Sequence, residues 1–218
     1  MRTARALLIA VAGIAFALTS ARAQAVLRTF DDDTIGGAPA GFTLAMARQQ
    51  TVGRWLVQAE GANRYLTHLA DPAASGGYSL AVLDTAHPAQ VRASVRLKLT
   101  GGARAGGLVW RYQDAENFYL VSLDLQVQEV ALYRIVRGNR IQLEEEDDLE
   151  LDVDAWHSVR VAHDDDDIRV SLGGIGVMQA RDREFAASGR AGVWSGGSAT
   201  AWFDDLRVEE ERSRERGR

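Results

Sequence analysis

Between Gly106 and Asp124 the chain reads GGLVWRYQDAENFYLVSLD, two apolar, aromatic-rich runs joined by the polar turn Gln113-Asp114-Ala115-Glu116. Short runs dense in Val, Leu, Tyr, Phe and Trp suit a pleated surface, and two of them separated by a few polar residues pair as an antiparallel hairpin. The same period of two governs much of the chain. Val91, Ala93, Val95, Leu97 and Leu99 alternate with Arg92, Ser94, Arg96, Lys98 and Thr100, which puts one face of a strand in a core and the other in water. Val159 and Val161 alternate with Ser158 and Arg160, and Ile168, Val170 and Leu172 with Arg169 and Ser171. Turn clusters such as Gly36-Gly37-Ala38-Pro39, Gly101-Gly102, Gly138-Asn139 and Asp164 to Asp167 separate these runs. Many short strands at short spacing, each with one polar face, build an antiparallel sandwich or barrel. Parallel strands, covered on both faces, would read as unbroken apolar runs.

Residues 1–25 stand apart from this pattern. Arg2 and Arg5 precede an apolar stretch of 13 residues, Ala6 to Leu18, followed by small residues, the form of a secretory signal with cleavage after Ala23 or Ala25. A bilayer-spanning helix needs about 20 apolar residues, so no membrane span is expected, and the expected location is periplasmic or secreted. With no cysteine in the chain, disulfides are excluded and stability rests on core burial. Residues 26–208 suffice for one all-β domain. The run Glu209 to Arg218 mixes both charges without an apolar side chain, as disordered tails do. Without Arg2, Arg5 and Arg22 the formal charge of −5 becomes about −8, which repels phosphate backbones and argues against nucleic acid as a partner.

Catalytic patterns are scarce. The chain has no nucleophile elbow, phosphate-cradling glycine loop or His-Glu-x-x-His pair, and His68, His87, His157 and His163 lack ligand spacing. His157, beside Trp156 at a strand start, reads as a hydrogen-bonded structural residue. Asp164 to Asp167 read as a tight turn, although clustered carboxylates also attract calcium. Asp204 shares strand parity with Trp202, Leu206 and Val208 and so points toward the apolar face, where a carboxylate must be paired, hydrogen-bonded or metal-bound.

Six pieces then follow one another in a telling order: Gly107 to Tyr112, Asn117 to Val121, Ala131 to Tyr133, Trp156 to Val161, Gly189 to Trp194 and Phe203 to Val208. Over Phe30 to Val208 the chain resembles the laminin-G-like, concanavalin A-like lectin and glucanase superfamily, nearest to exported bacterial domains of the 3-keto-disaccharide hydrolase type. The resemblance implies a two-sheet antiparallel jelly-roll sandwich with a concave face that holds carbohydrate. It departs from the hydrolase-type members at Gln90 to Val95 and Arg104 to Gly107, where they show an acidic, aromatic strand and an Asn-Ser-Gly turn. Glucanases of the superfamily carry Glu-x-Asp-x-x-Glu on a strand, as retaining hydrolysis needs carboxyls about 5 Å apart. Glu145, Asp147 and Glu150 spell that pattern, but Glu146 and Asp148 occupy positions that are apolar in the glucanases, so the run reads as a solvated strand end.

The expected role is glycan or glycoconjugate binding without catalysis, no catalytic residue being assigned. The alternatives are a glycoside hydrolase acting on 3-keto-disaccharides or related glycosides, and an envelope domain that binds protein. Sugar recognition calls for a ring that stacks on pyranose C–H groups and a planar Arg that pairs with hydroxyls. Arg111, Tyr119 and Arg134, with Trp194, are the expected ligand-binding residues. Strand parity puts Val109 and Arg111 on one face and Leu108, Trp110 and Tyr112 on the other. Relatives often pair their first and last strands around a structural calcium, which implies Asp204 with Asp31, Asp32 and Asp33 as ligands. A hydrogen-bonded Asp204 without metal is the alternative.

Overall fold

The computed structural model describes residues 25–48, 53–69, 77–101, 105–147, 149–196 and 198–210. The expected signal segment up to residue 24 and the tail from residue 211 lie outside them. Among the described residues every regular element is a strand, and no helix is long and apolar enough to cross a membrane.

The described residues form fifteen strands, numbered in chain order, in two antiparallel sheets. An eight-stranded sheet holds β1 (Val26–Arg28), β3 (Arg54–Glu60), β4 (Asn63–Leu69), β6 (Val91–Gly101), β11 (His157–Asp164), β12 (Asp167–Leu172), β13 (Ile175–Arg181) and β15 (Thr200–Glu210). Its order is β13-β12-β11-β6-β15-β4-β3, with β1 also on β15. A seven-stranded sheet holds β2 (Phe42–Ala47), β5 (Tyr78–Leu83), β7 (Ala105–Asp114), β8 (Asn117–Asp124), β9 (Glu129–Val136), β10 (Asn139–Glu146) and β14 (Arg190–Gly196) in the order β10-β9-β8-β7-β14-β5-β2. The two ends of the domain meet, since Val26 pairs with Val208. The last strand runs through Glu210, two residues into the segment expected as tail.

The alternation in β6 is realised as read. Val91, Ala93, Val95, Leu97 and Leu99 are buried between the sheets while Arg92 and Arg96 are exposed. They meet Leu108, Trp110, Val121, Leu132 and Val193 of the other sheet in one core. The Gly106 to Asp124 hairpin is β7 and β8. The seven-stranded sheet departs from the one-polar-face rule, because its outer face carries a second apolar layer that includes Leu80, Val82, Val109, Phe118, Leu120 and Ile135. With apolar side chains on both faces, β5 and β8 are buried almost end to end although antiparallel.

A bulge corrects the parity expected for β7. The pairing with β8 shifts register between Trp110 and Asp114, and Arg111 sits at φ 46, in the left-handed region that a non-glycine residue rarely takes. The extra residue turns Tyr112 onto the outer face with Val109 and sends Arg111 inward beside Trp110.

Candidate functional site

Three of the four expected ligand-binding residues come together, but inside the sandwich. Tyr119 stacks on Trp110 with centroids 5.6 Å apart, and its hydroxyl donates to Asp182 in the segment after β13. Arg134 donates to the other oxygen of the same carboxylate, which also accepts the Glu184 amide N–H at 2.9 Å. Arg111 is held by backbone carbonyls, of Phe185 at 2.8 Å and Ala89 at 3.1 Å. Burial raises the Tyr119 hydroxyl well above its usual range, with the Asp182 hydrogen bond adding, so the phenol stays neutral. The cluster latches the end of the seven-stranded sheet to the loops of the other sheet. The bulge sends Arg111 inward, and Tyr119 and Arg134 face inward by the regular parity of β8 and β9, so the three meet inside the sandwich and not on an outer face.

His163 completes this cluster. The Trp110 indole N–H, which can only donate, lies 3.0 Å from His163 Nδ1, so Nδ1 accepts and the imidazole is neutral. Burial, then the Arg111 charge, lowers its pKa from 6.5 to about 4. The unfolded chain takes up this proton first as pH falls. The stabilisation is fully present above about pH 6.5 and is lost on acidification toward pH 4, a loss of about 3 kcal/mol. His68, buried with its pKa also lowered by desolvation, acts in the same direction. Thermal melts from neutral pH down to pH 4 should show this decline, and His163→Phe should flatten it. An unchanged slope in that variant would assign the acid sensitivity elsewhere.

The fourth residue, Trp194, lies on the outer face of the seven-stranded sheet. It pairs with Gly107 on β7, and its indole N–H crosses that strand to donate to the Val121 carbonyl of β8 at 2.8 Å. A Cβ on Gly107 would stand 2.1 Å from that carbonyl oxygen, so only glycine leaves room for the ring. Beside Trp194 is a depression of about 390 Å³ whose lining includes Tyr78, Tyr133, Asp124, Glu129, Arg48 and Arg140. Tyr78 meets Trp194 edge-on at 5.1 Å, and the Arg140 guanidinium lies 4.8 Å from the Tyr133 ring centre. Asp124 and Glu129 are direct cross-strand partners. Burial raises the Glu129 carboxyl above its ordinary value, with Glu145 and Asp124 adding, against a hydrogen bond from Tyr133. The sequence reading passed over Tyr78, Tyr133, Asp124, Glu129 and Arg140. The signal for three of them was strand parity carried to the strand ends: Phe118, Leu120, Ser122 and Asp124 share a face, as do Glu129, Ala131 and Tyr133.

The other singled-out carboxylates lie outside the lining of this depression. Asp204 is buried and accepts from the Asp205 amide at 2.7 Å and from Asn63 Nδ2 at 3.2 Å. Asp31 accepts from the Arg64 amide and Asp33 from Arg28, while Asp32 is exposed. Among the described residues no three acidic or histidine side chains gather as a metal site. The Glu144 to Glu146 run is exposed on the edge strand β10. His157 Nε2 bonds the Asp152 carbonyl at 2.8 Å, and Asp165, at φ 53, makes the β11–β12 turn.

Neither a family model nor a curated protein matches the chain. The fold is a two-sheet antiparallel jelly-roll sandwich. Among solved structures it is similar to the carbohydrate-binding module CBM66 from Bacillus subtilis, with 22% identity and a TM-score of 0.63 over 77% of this chain and 95% of that one. The cellulose-induced protein Cip1 is 14% identical with a TM-score of 0.61, over 86% of this chain and 98% of that one. A Bacillus licheniformis beta-glucanase is 11% identical with a TM-score of 0.56, again over 86% and 98%.

Proposed function

We propose that this protein is an exported glycan-binding module that takes its ligand on the outer face of the seven-stranded sheet, beside Trp194, without catalysis. The observation that carries the reading is one depression that combines the Tyr78, Tyr133 and Trp194 rings with Asp124 and Glu129 carboxylates and the Arg48 and Arg140 guanidiniums. Rings cover pyranose C–H faces, and carboxylates and guanidiniums bond hydroxyls. The likeness in fold to a carbohydrate-binding module and to a glucanase supports it.

A second reading, hydrolysis, has one observation in its favour. Asp124 and Glu129 face each other across two strands, with the Glu129 carboxyl raised by burial, and a pair of carboxyls is what glycoside hydrolysis needs. One experiment separates the two. The protein beginning at Val26 is applied to a glycan array and incubated with ordinary and 3-keto disaccharides. Binding without product release is expected, and Tyr133→Ala and Glu129→Gln should each weaken it about tenfold or more, or about 1.4 kcal/mol. Binding that survives both substitutions, or none on the array, overturns the site. Sugar release that disappears in Glu129→Gln makes the protein a hydrolase.

A further inference from the structure

The outer face of the eight-stranded sheet carries a charge pattern opposite to that of the chain as a whole. Arg92, Arg96 and Lys98 project from β6, Arg160 from β11, Arg169 from β12 and Arg207 from β15. Register sets them in rows. Ser171, Arg160, Ser94 and Arg207 stand side by side across four strands, and Arg169, Ala162, Arg92 and Glu209 form the neighbouring row. With strands about 4.8 Å apart, cations in one row are about 10 Å apart, and those of the next row fall between them. The rows surround a depression of about 460 Å³ in which Glu209 is the one carboxylate among the described lining residues.

These cations are only partly neutralised. Arg207 pairs with Glu209 at 2.9 Å, Arg169 with Asp167 at 3.3 Å and Arg96 with Asp205 at 3.1 Å. Arg160, in the middle, makes no ion pair or hydrogen bond among the described residues, and Ser94 and Ser171 flank it in the register. At one end of the face the ladder passes into aromatic rings. The Arg96 guanidinium lies 4.9 Å from the Trp156 ring centre, Lys98 Nζ lies 4.6 Å from that of Trp202, and Tyr65 stacks on Trp202. In a protein whose net charge is negative, six cations gathered on one face form a local attractor for anions.

We propose that this face is a second binding site, for a linear anionic polysaccharide carrying uronate carboxylates or sulfates. The staggered guanidiniums match a chain with anions at intervals rather than a single anion, because each presents a planar fork that bonds a carboxylate or sulfate through two N–H groups. The serine hydroxyls between them suit sugar hydroxyls. Nucleic acid shares the charge, and binding to duplex DNA is therefore an outcome of the test that overturns this assignment. The site is independent of the depression beside Trp194, since the two lie on opposite outer faces of the sandwich.

The test is affinity electrophoresis of the secreted form in gels containing polygalacturonate, alginate or chondroitin sulfate, with dextran as neutral control. Retardation by at least one anionic polymer, falling steeply between about 50 mM and about 200 mM NaCl, is expected. Arg160→Glu should weaken it tenfold or more without changing the melting temperature, and Arg92→Ala with Arg207→Ala should do the same. Tyr133→Ala should leave it intact, so failure of this site and of the one beside Trp194 are told apart. No retardation by any anionic polymer at low salt overturns the proposal, as does retardation that Arg160→Glu leaves unchanged. Equal or tighter binding to duplex DNA or to phosphatidylglycerol vesicles assigns the face to a different partner and overturns it as well.

Discussion

Replacing Asp182 with alanine should destabilise the protein by about 3–5 kcal/mol, a large share of the roughly 5–15 kcal/mol that holds a typical domain folded. This carboxylate, 8% exposed, receives the Tyr119 hydroxyl, the Arg134 guanidinium and the Glu184 amide N–H. Its removal leaves a half-buried cation and a buried hydroxyl without an acceptor, and the cost of such orphaned groups exceeds the modest net gain of a satisfied bond. Asp182→Asn keeps an acceptor oxygen but loses the charge, so its loss should fall between wild type and alanine. Urea unfolding of the three forms measures this. A loss below about 1 kcal/mol for alanine would mean that water reaches the cluster and satisfies Arg134 in its place.

The second large effect is expected at Gly107. A methyl group there would sit 2.1 Å from the Val121 carbonyl oxygen and 3.2 Å from Trp194 Nε1, in the middle of a sheet where neither neighbour can withdraw. Either β7 and β8 separate locally or Trp194 leaves its carbonyl, and overpacking of this kind costs about 3 kcal/mol or more. Gly107→Ala should therefore lose stability and shift the tryptophan fluorescence together, with weaker binding at the depression beside Trp194. Gly176→Ala, where nothing lies within 4 Å of the added carbon, is the neutral control. A folded Gly107→Ala protein with unchanged fluorescence would mean that the indole does not lie across β7.

The two faces of the sandwich proposed as sites differ in chemistry. The depression beside Trp194 combines rings with both carboxylates and guanidiniums, whereas the Arg160 face is a ladder of cations. On the proposals above, the domain would hold one glycan on each face.

The sequence by itself determined the antiparallel sandwich, because period-two alternation in β6, β11 and β12 permits only strands with one face in a core. It also determined the Gly106 to Asp124 hairpin and the solvated edge at Glu144 to Glu146, since local composition decides turns and exposure. The pairing of first and last strands followed from the resemblance and is realised in β1 and β15. Tertiary structure alone decided where the polar side chains of the hairpin point. One extra residue at Arg111 reverses every later side chain of β7, and nothing in the Trp110-Arg111-Tyr112 run distinguishes a bulged strand from a regular one. Tyr119 and Arg134 point inward by the parity of their strands, but their common partner, Asp182, lies 48 residues or more away in the chain. The depression beside Trp194 draws on strands from across the seven-stranded sheet, and the Arg160 face on four strands of the other. Each strand reveals which side chains share its own face, but the sheet order that sets those faces side by side follows from long-range packing that no local pattern encodes.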